Sequence, residues 1–137
     1  MYLLDTNVVS ELRKTKKADR GVRVWAQALP AASLYLSAIS ILELEIGILL
    51  IERRDRKQGV VLRAWMEGRV LPAFDGRILA IDATVAQRCA ALHVPNPRSD
   101  RDALIAATAL VHGMTVVTRN VAHYQSTGVV IVNPWRS

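Results

Sequence analysis

Short apolar runs alternate with longer amphipathic segments along the chain, and this alternation predicts strands connected by helices. YLL near the start, SLYLS, MTVVTRN and GVVIVNP near the end are short enough to be strands. Strands that are joined by crossovers of a dozen or more residues pair in parallel. The pattern therefore predicts an α/β fold with a central parallel sheet flanked by helices.

Longer segments with helical spacing fill the intervals between these strands. Two basic helical segments follow the first strand. A helix is expected from about Ser40, over ISILELEIGILLIERR, and RILAID fits either a strand or the start of a helix. DALIAATALVHG predicts a helix that ends at Gly113, because glycine is common just after a helix.

Length and composition fit one domain of ordinary size, and we expect it to span 1–137. Hydrophobic residues make up 51% of the sequence and aromatic residues only 5%, as expected when helices pack on a parallel sheet. The chain has one cysteine, Cys89, which excludes a disulfide framework or a zinc site of several cysteines and fits a reducing cytoplasm. The longest apolar stretch, IGILLI, is too short to cross a membrane, and no signal peptide is expected.

The net charge of +6 comes from 18 lysines and arginines against 12 acidic residues, and it would attract a polyanion such as RNA. RKTKKADRGVR, from Arg13 to Arg23, and RRDRK, from Arg53 to Lys57, carry much of this charge. Solvated helix faces and loops would look the same in the sequence. Charge alone therefore permits nucleic-acid binding without indicating it.

Three acidic residues fall at boundaries of the predicted elements. Asp5 ends the first strand, Glu43 lies in the first turns of the helix after the second strand, and Asp102 begins a later helix. Each has a structural alternative: Asp5 could cap a helix, and Ser40-x-x-Glu43 and Ser99-x-x-Asp102 match capping boxes. Together, however, carboxylates at one edge of a sheet need a cation between them, and their hard oxygens suit Mg²⁺ or Mn²⁺.

Several motifs in this order resemble PIN-domain ribonucleases, and most closely the VapC/FitB toxins of bacterial type II toxin–antitoxin pairs. They are LLDTNVVSEL, SILELEIG, DALIAATAL, VTRNVAHY and VVIVNPW. The resemblance covers nearly the whole chain. It implies a PIN-like fold and a cytoplasmic, Mg²⁺- or Mn²⁺-dependent endoribonuclease that forms a homodimer and binds a small antitoxin protein.

The resemblance also assigns residues. Asp5, Glu43 and Asp102 match three of the usual acids, which would bind the metal and act in catalysis. The usual fourth acid is replaced here by His123, three positions after Asn120, and Asp100 could compensate only in part. The second-tier candidates for the site are Thr6, Asn7, Thr118, Asn120 and His123.

Two other functions remain open from the sequence. The replacement of an acid by His123 leaves room for a PIN-fold module that binds RNA or antitoxin with weak or no catalysis. A phosphate-transfer enzyme of the haloacid-dehalogenase type would also begin with a strand ending in Asp, but its D-x-D motif is interrupted here by Asn7. A nuclease that uses a water activated by the metal is the better prediction.

Overall fold

The computed structural model describes residues 1–136, and this range contains a five-stranded sheet. The strands lie in the order β3-β2-β1-β4-β5, and every neighbouring pair is parallel, which confirms the predicted α/β fold. Ser137 lies outside the described residues, so the predicted extent of 1–137 stays a prediction. The strands are β1 (Tyr2–Leu4), β2 (Leu34–Ser37), β3 (Ile78–Leu79), β4 (Thr115–Val117) and β5 (Ile131–Val132).

Helices lie between the first four strands, in the order of the amphipathic segments of the sequence. RILAID is resolved as a strand, since it contains β3. A π-helical turn, Met66–Val70, joins α4 to α5, and a 3₁₀ turn, Val121–His123, follows β4. The helices are α1 (Thr6–Leu12), α2 (Arg20–Gln27), α3 (Ala38–Arg54), α4 (Arg56–Trp65), α5 (Leu71–Ala73), α6 (Ala83–Leu92) and α7 (Asp100–His112).

The start of α3 differs from the sequence prediction. The helix begins at Ala38, directly after β2, because the Ser37 hydroxyl accepts a hydrogen bond of 3.0 Å from the Ile39 amide and caps the first turn. Ser40 is therefore inside the helix, and the proposed capping box between Ser40 and Glu43 is wrong. The Glu43 side chain is left free for other contacts.

The start of α7 also lies earlier than predicted, at Asp100 instead of Asp102. Ser99 is its N-cap residue, so Asp102 lies in the first turn, as the sequence suggested. The helix ends as predicted at Gly113, whose φ of 66° is left-handed and favours glycine. The alanines of α7, including Ala103 and Ala106, are completely buried and keep the helix close to the sheet.

Burial along α3 follows helical periodicity. Leu44 and Ile48, which are four residues apart, face the core, whereas Leu49 and Leu50 are 54% and 60% exposed. The two leucines of the ILLI stretch therefore lie outside the core. Among the described residues, none of the helices has both the length and the hydrophobicity that a membrane span requires.

Candidate active site

The three predicted acids lie around one open cleft of about 790 Å³ at the carboxyl edge of the sheet. Asp5 follows β1, Glu43 lies in the second turn of α3, and Asp102 lies in the first turn of α7. Parallel strands bring these elements together because their carboxyl ends all meet at the same edge. The cleft is lined by Asp5, Thr6, Asn7, Ser10, Glu11, Lys14, Glu43, Ser99, Asp100, Arg101, Asp102, Arg119, Asn120, His123 and Trp135.

Asp5 is only 5% exposed, and its carboxylate is held by three donors. The Thr6 amide donates to Oδ1 at 2.8 Å, the Thr118 hydroxyl donates to Oδ2 at 2.8 Å, and the Asn7 side-chain amide approaches Oδ2 at 3.4 Å. Asp5 is also the N-cap of α1, so the capping alternative and the site prediction describe the same residue. Its charge is therefore buried in a fixed orientation.

Glu43 lines the cleft and is held there by a residue of α1. The Thr6 hydroxyl donates to Oε1 of Glu43 at 2.7 Å and lies 3.0 Å from the hydroxyl of the buried Ser40. Oε2 of Glu43 lies 3.8 Å from the Arg101 guanidinium. Thr6 thus bridges the helix that follows Asp5 to the helix that carries Glu43, a contact between residues 37 positions apart.

Asp102 and His123 form the third part of the cleft. Nδ1 of the half-exposed His123 lies 3.2 Å from Oδ2 of Asp102. The pKa of the Asp102 carboxyl lies above its usual value because burial raises it, and the negative charge of Asp5 raises it further, against the lowering effect of His123. A cation near these two negative charges would be favoured, because it would offset their repulsion.

The second-tier residues all lie at this edge of the sheet. Thr118 is completely buried beneath the cleft, where its hydroxyl accepts a hydrogen bond of 2.9 Å from the Asn120 amide while it donates to Asp5. Asn7 connects the two segments, since its side-chain oxygen accepts from the Arg119 amide at 3.3 Å. The TRN segment and the LLDTN segment therefore form one hydrogen-bonded unit.

The cations that line the cleft come only in part from the two basic stretches of the sequence. Lys14 belongs to the first basic stretch and does line the cleft, but no residue of the stretch from Arg53 to Lys57 lines it. The other two lining cations are Arg101 and Arg119, which are isolated in the sequence beside site residues. Their position next to Asp102 and Asn120 was the only signal that could have indicated them.

The acids do not form the complete set of metal ligands that the sequence predicts. In the range 1–136, no three carboxylate, imidazole or thiol side chains form a ready-made set of ligands around one point. The Glu43 carboxylate already contacts Thr6 through one oxygen and Arg101 through the other. The predicted convergence of all three acids on one ion thus stays a prediction.

Residues 2–126 match the PIN domain family. The VapC ribonuclease Y4jK of Sinorhizobium fredii is 39% identical, with 98% of each chain covered. Toxin FitB of Neisseria gonorrhoeae is 37% identical, with 98% of this chain and 99% of the relative covered. The crystal structure of FitAcB from Neisseria gonorrhoeae superimposes with a TM-score of 0.91 at 36% identity, and each chain is covered completely. The family match and these full-length likenesses show that the chain belongs to the PIN domain family, among its VapC/FitB-type toxins.

Proposed function

We propose that this chain is the toxin of a type II toxin–antitoxin pair and that it hydrolyses RNA phosphodiester bonds with the help of Mg²⁺ or Mn²⁺. The observation that carries the proposal is the cleft in which Asp5, Glu43 and Asp102 lie together. The similarity to a relative named VapC ribonuclease supports a nuclease. The RNA substrate and the dependence on a divalent ion are the parts that we propose in addition.

The donor set fits such an ion. All three acids supply hard oxygen atoms, and the negative charge of Asp5 raises the pKa of Asp102, so a cation between them would relieve an existing repulsion. Mg²⁺ keeps several of its waters and needs only one or two direct carboxylates, so a complete protein cage is not required. Asp5 and Asp102 would hold the ion, and Glu43 would add a third carboxylate to the same cleft.

When bound, the cation supplies Lewis acidity, which polarises a phosphodiester oxygen and lowers the pKa of water. The residues of the chain bind and orient the reactants. Thr6 and Thr118 fix the two acids Glu43 and Asp5 by hydrogen bonds of 2.7 and 2.8 Å. This fixed orientation avoids the entropy that mobile carboxylates would lose when RNA binds.

Positive side chains at the rim would bind the RNA backbone. Lys14, Arg101 and Arg119 line the same cleft as the acids, so phosphates on either side of the scissile bond can contact them. The Arg119 guanidinium also stacks over the Trp135 ring, 5.5 Å from its centroid, which holds the cation at the cleft wall. These contacts give affinity without base specificity.

A cleavage assay with purified protein tests the proposal. We expect the wild type to cut RNA with Mg²⁺ or Mn²⁺ and to lose activity in EDTA, and Asp5→Asn to be inactive with either ion. Asp75→Asn is the matched control, since Asp75 is an exposed acid in a turn outside the cleft. RNA binding without cleavage under every condition would instead favour the alternative module with weak or no catalysis.

We also propose a homodimer that binds an antitoxin protein. Five large apolar side chains on α3 and α4 are exposed in the single chain, which suits contact with protein. They are Leu42, Leu49, Leu50, Val60 and Val61. Light scattering coupled to size-exclusion chromatography should give twice the mass of one chain, and a stable monomer at micromolar concentration would contradict the dimer.

A further inference from the structure

Tyr124 is buried in the core and does not line the cleft. It is 1% exposed, and its ring belongs to a buried cluster with Leu3, Ile39 and Ile105. These neighbours come from β1, α3 and α7, the same elements that carry or precede Asp5, Glu43 and Asp102. The tyrosine therefore packs at the junction of the elements that position the acids.

The hydroxyl of Tyr124 has no hydrogen-bond partner. Among residues 1–136 it is the only buried side-chain nitrogen or oxygen atom without one. Burial raises the pKa of Tyr124, and the negative charges of Asp5 and Asp102 raise it further. The Asp5 carboxylate, which is the nearby acceptor for the hydroxyl although the two do not reach hydrogen-bond geometry, and the charge of Glu43 contribute to the raised pKa as well. The phenol thus keeps its proton and lies within the electrostatic influence of all three acids. An unpaired buried hydroxyl destabilises a fold, so its presence here needs an explanation.

We propose that Tyr124 is a positioning residue of the acid cluster, whose hydroxyl donates to the Asp5 carboxylate from the buried side when a divalent cation is bound in the cleft. This inference rests on the proposed function, because it assumes that the cluster binds such a cation. Asp5 already accepts from Thr6 and Thr118, which fix it from the α1 and β4 sides. A donor from the buried side would hold the carboxylate against the pull of the cation.

The removal of the hydroxyl alone provides the test. Tyr124→Phe keeps the ring and its packing, and Tyr35→Phe is the matched control because Tyr35 packs against the same buried cluster from β2. Thermal melts without divalent ions, melts with Mn²⁺, Mn²⁺ binding by calorimetry, and RNA cleavage are measured for both variants and the wild type.

We expect Tyr124→Phe to melt no lower than the wild type without ions, since the hydroxyl lacks a partner there. With Mn²⁺ its stabilisation should be smaller, its Mn²⁺ affinity and kcat should fall roughly tenfold, and KM for RNA should not change. Tyr35→Phe should match the wild type in ion binding and kcat.

Two results would overturn the inference. A lower melting temperature of Tyr124→Phe in the absence of ions would show that the hydroxyl has a purely structural bond, and an unchanged Mn²⁺ affinity would show that it does not act on the cluster. If the wild type is not stabilised by Mn²⁺, this inference and the metal dependence both fail. If Mn²⁺ binds with the expected difference but RNA is not cut, only the proposed function fails.

Discussion

The imidazole Nδ1 of His123 lies 3.2 Å from Oδ2 of Asp102, at the position where related proteins are expected to carry a fourth acid. The histidine therefore contacts the acid cluster, but it adds no negative charge to it. Because Asp5 already raises the pKa of Asp102, a fourth carboxylate here would increase the repulsion in the ion-free chain. The replacement of the usual acid by His123 thus changes the charge of the acid cluster.

The first prediction concerns His123→Asp. We expect this variant to melt at a lower temperature without ions, to gain more stability from Mg²⁺ than the wild type, and to cut RNA faster with Mg²⁺. The wild type should prefer Mn²⁺, because imidazole is a better ligand for Mn²⁺ than for Mg²⁺. Thermal melts and cleavage rates across both ions measure these effects. If His123→Ala keeps the rate and ion preference of the wild type, His123 has no role in the site.

The second prediction concerns Thr118, which is buried and donates to Asp5 at 2.8 Å. Thr118→Val preserves the shape of the side chain but removes a hydrogen bond to a charged group, which should cost about 2 kcal/mol of unfolding free energy and most of the activity. Thr108→Val is the matched control: Thr108 is equally buried, but its hydroxyl bonds a backbone carbonyl within α7. Equal activity of the two variants would contradict a specific role for Thr118.

The third prediction separates the cleft cations from the basic stretches. Arg119→Ala should weaken RNA binding and reduce the slope of log affinity against log salt by about 1, because one phosphate contact is lost. Arg54→Ala removes an equal charge from the exposed end of α3, outside the cleft, and should change neither value. If both variants weaken RNA binding equally, the RNA is attracted by the overall charge of the protein and not by the cations of the cleft.

The fourth prediction concerns pH. The pKa of Glu11 is lowered, first by the hydrogen bond of 2.8 Å from the Asp19 amide and then by Lys14, 3.0 Å away. A lowered pKa in the folded state stabilises the fold above the ordinary glutamate pKa, and this contribution is lost as pH falls through the folded value.

Glu11→Gln should therefore lower the melting temperature at pH 7, and the difference from wild type should shrink toward pH 3. The effect should stay below about 1 kcal/mol, because the Lys14 partner is half-exposed and screened by solvent. Melting curves across this pH range provide the measurement. A difference that is constant or grows on acidification would contradict the role of the charge.

The sequence predicts the acids better than it predicts their surroundings. Asp5 and Asp102 can be predicted from local sequence signals, because a strand ends at Asp5 and a helix begins near Asp102. Glu43 was harder to place, since the helix start depends on Ser37 at the end of β2 instead of on Ser40. Local propensity could not decide between two serines that both suit a cap.

Features that depend on tertiary contact were not predictable. Arg101 and Arg119 face the cleft only because α7 and the segment after β4 meet at one edge of the sheet. The unpaired hydroxyl of Tyr124 results from packing among residues of separate elements, and no motif indicates it. Hydrophobic pattern alone also could not show that Leu49 and Leu50 are exposed on α3.

Electron paramagnetic resonance of Mn²⁺ can show whether the acid cluster binds a divalent ion. We expect one Mn²⁺ site in the wild type, which is weakened strongly in Asp5→Asn and Asp102→Asn, more modestly in Glu43→Gln, and not at all in Asp75→Asn. Wild-type affinity in all three cleft variants, or an equal loss in Asp75→Asn, would show that these acids do not form a metal site.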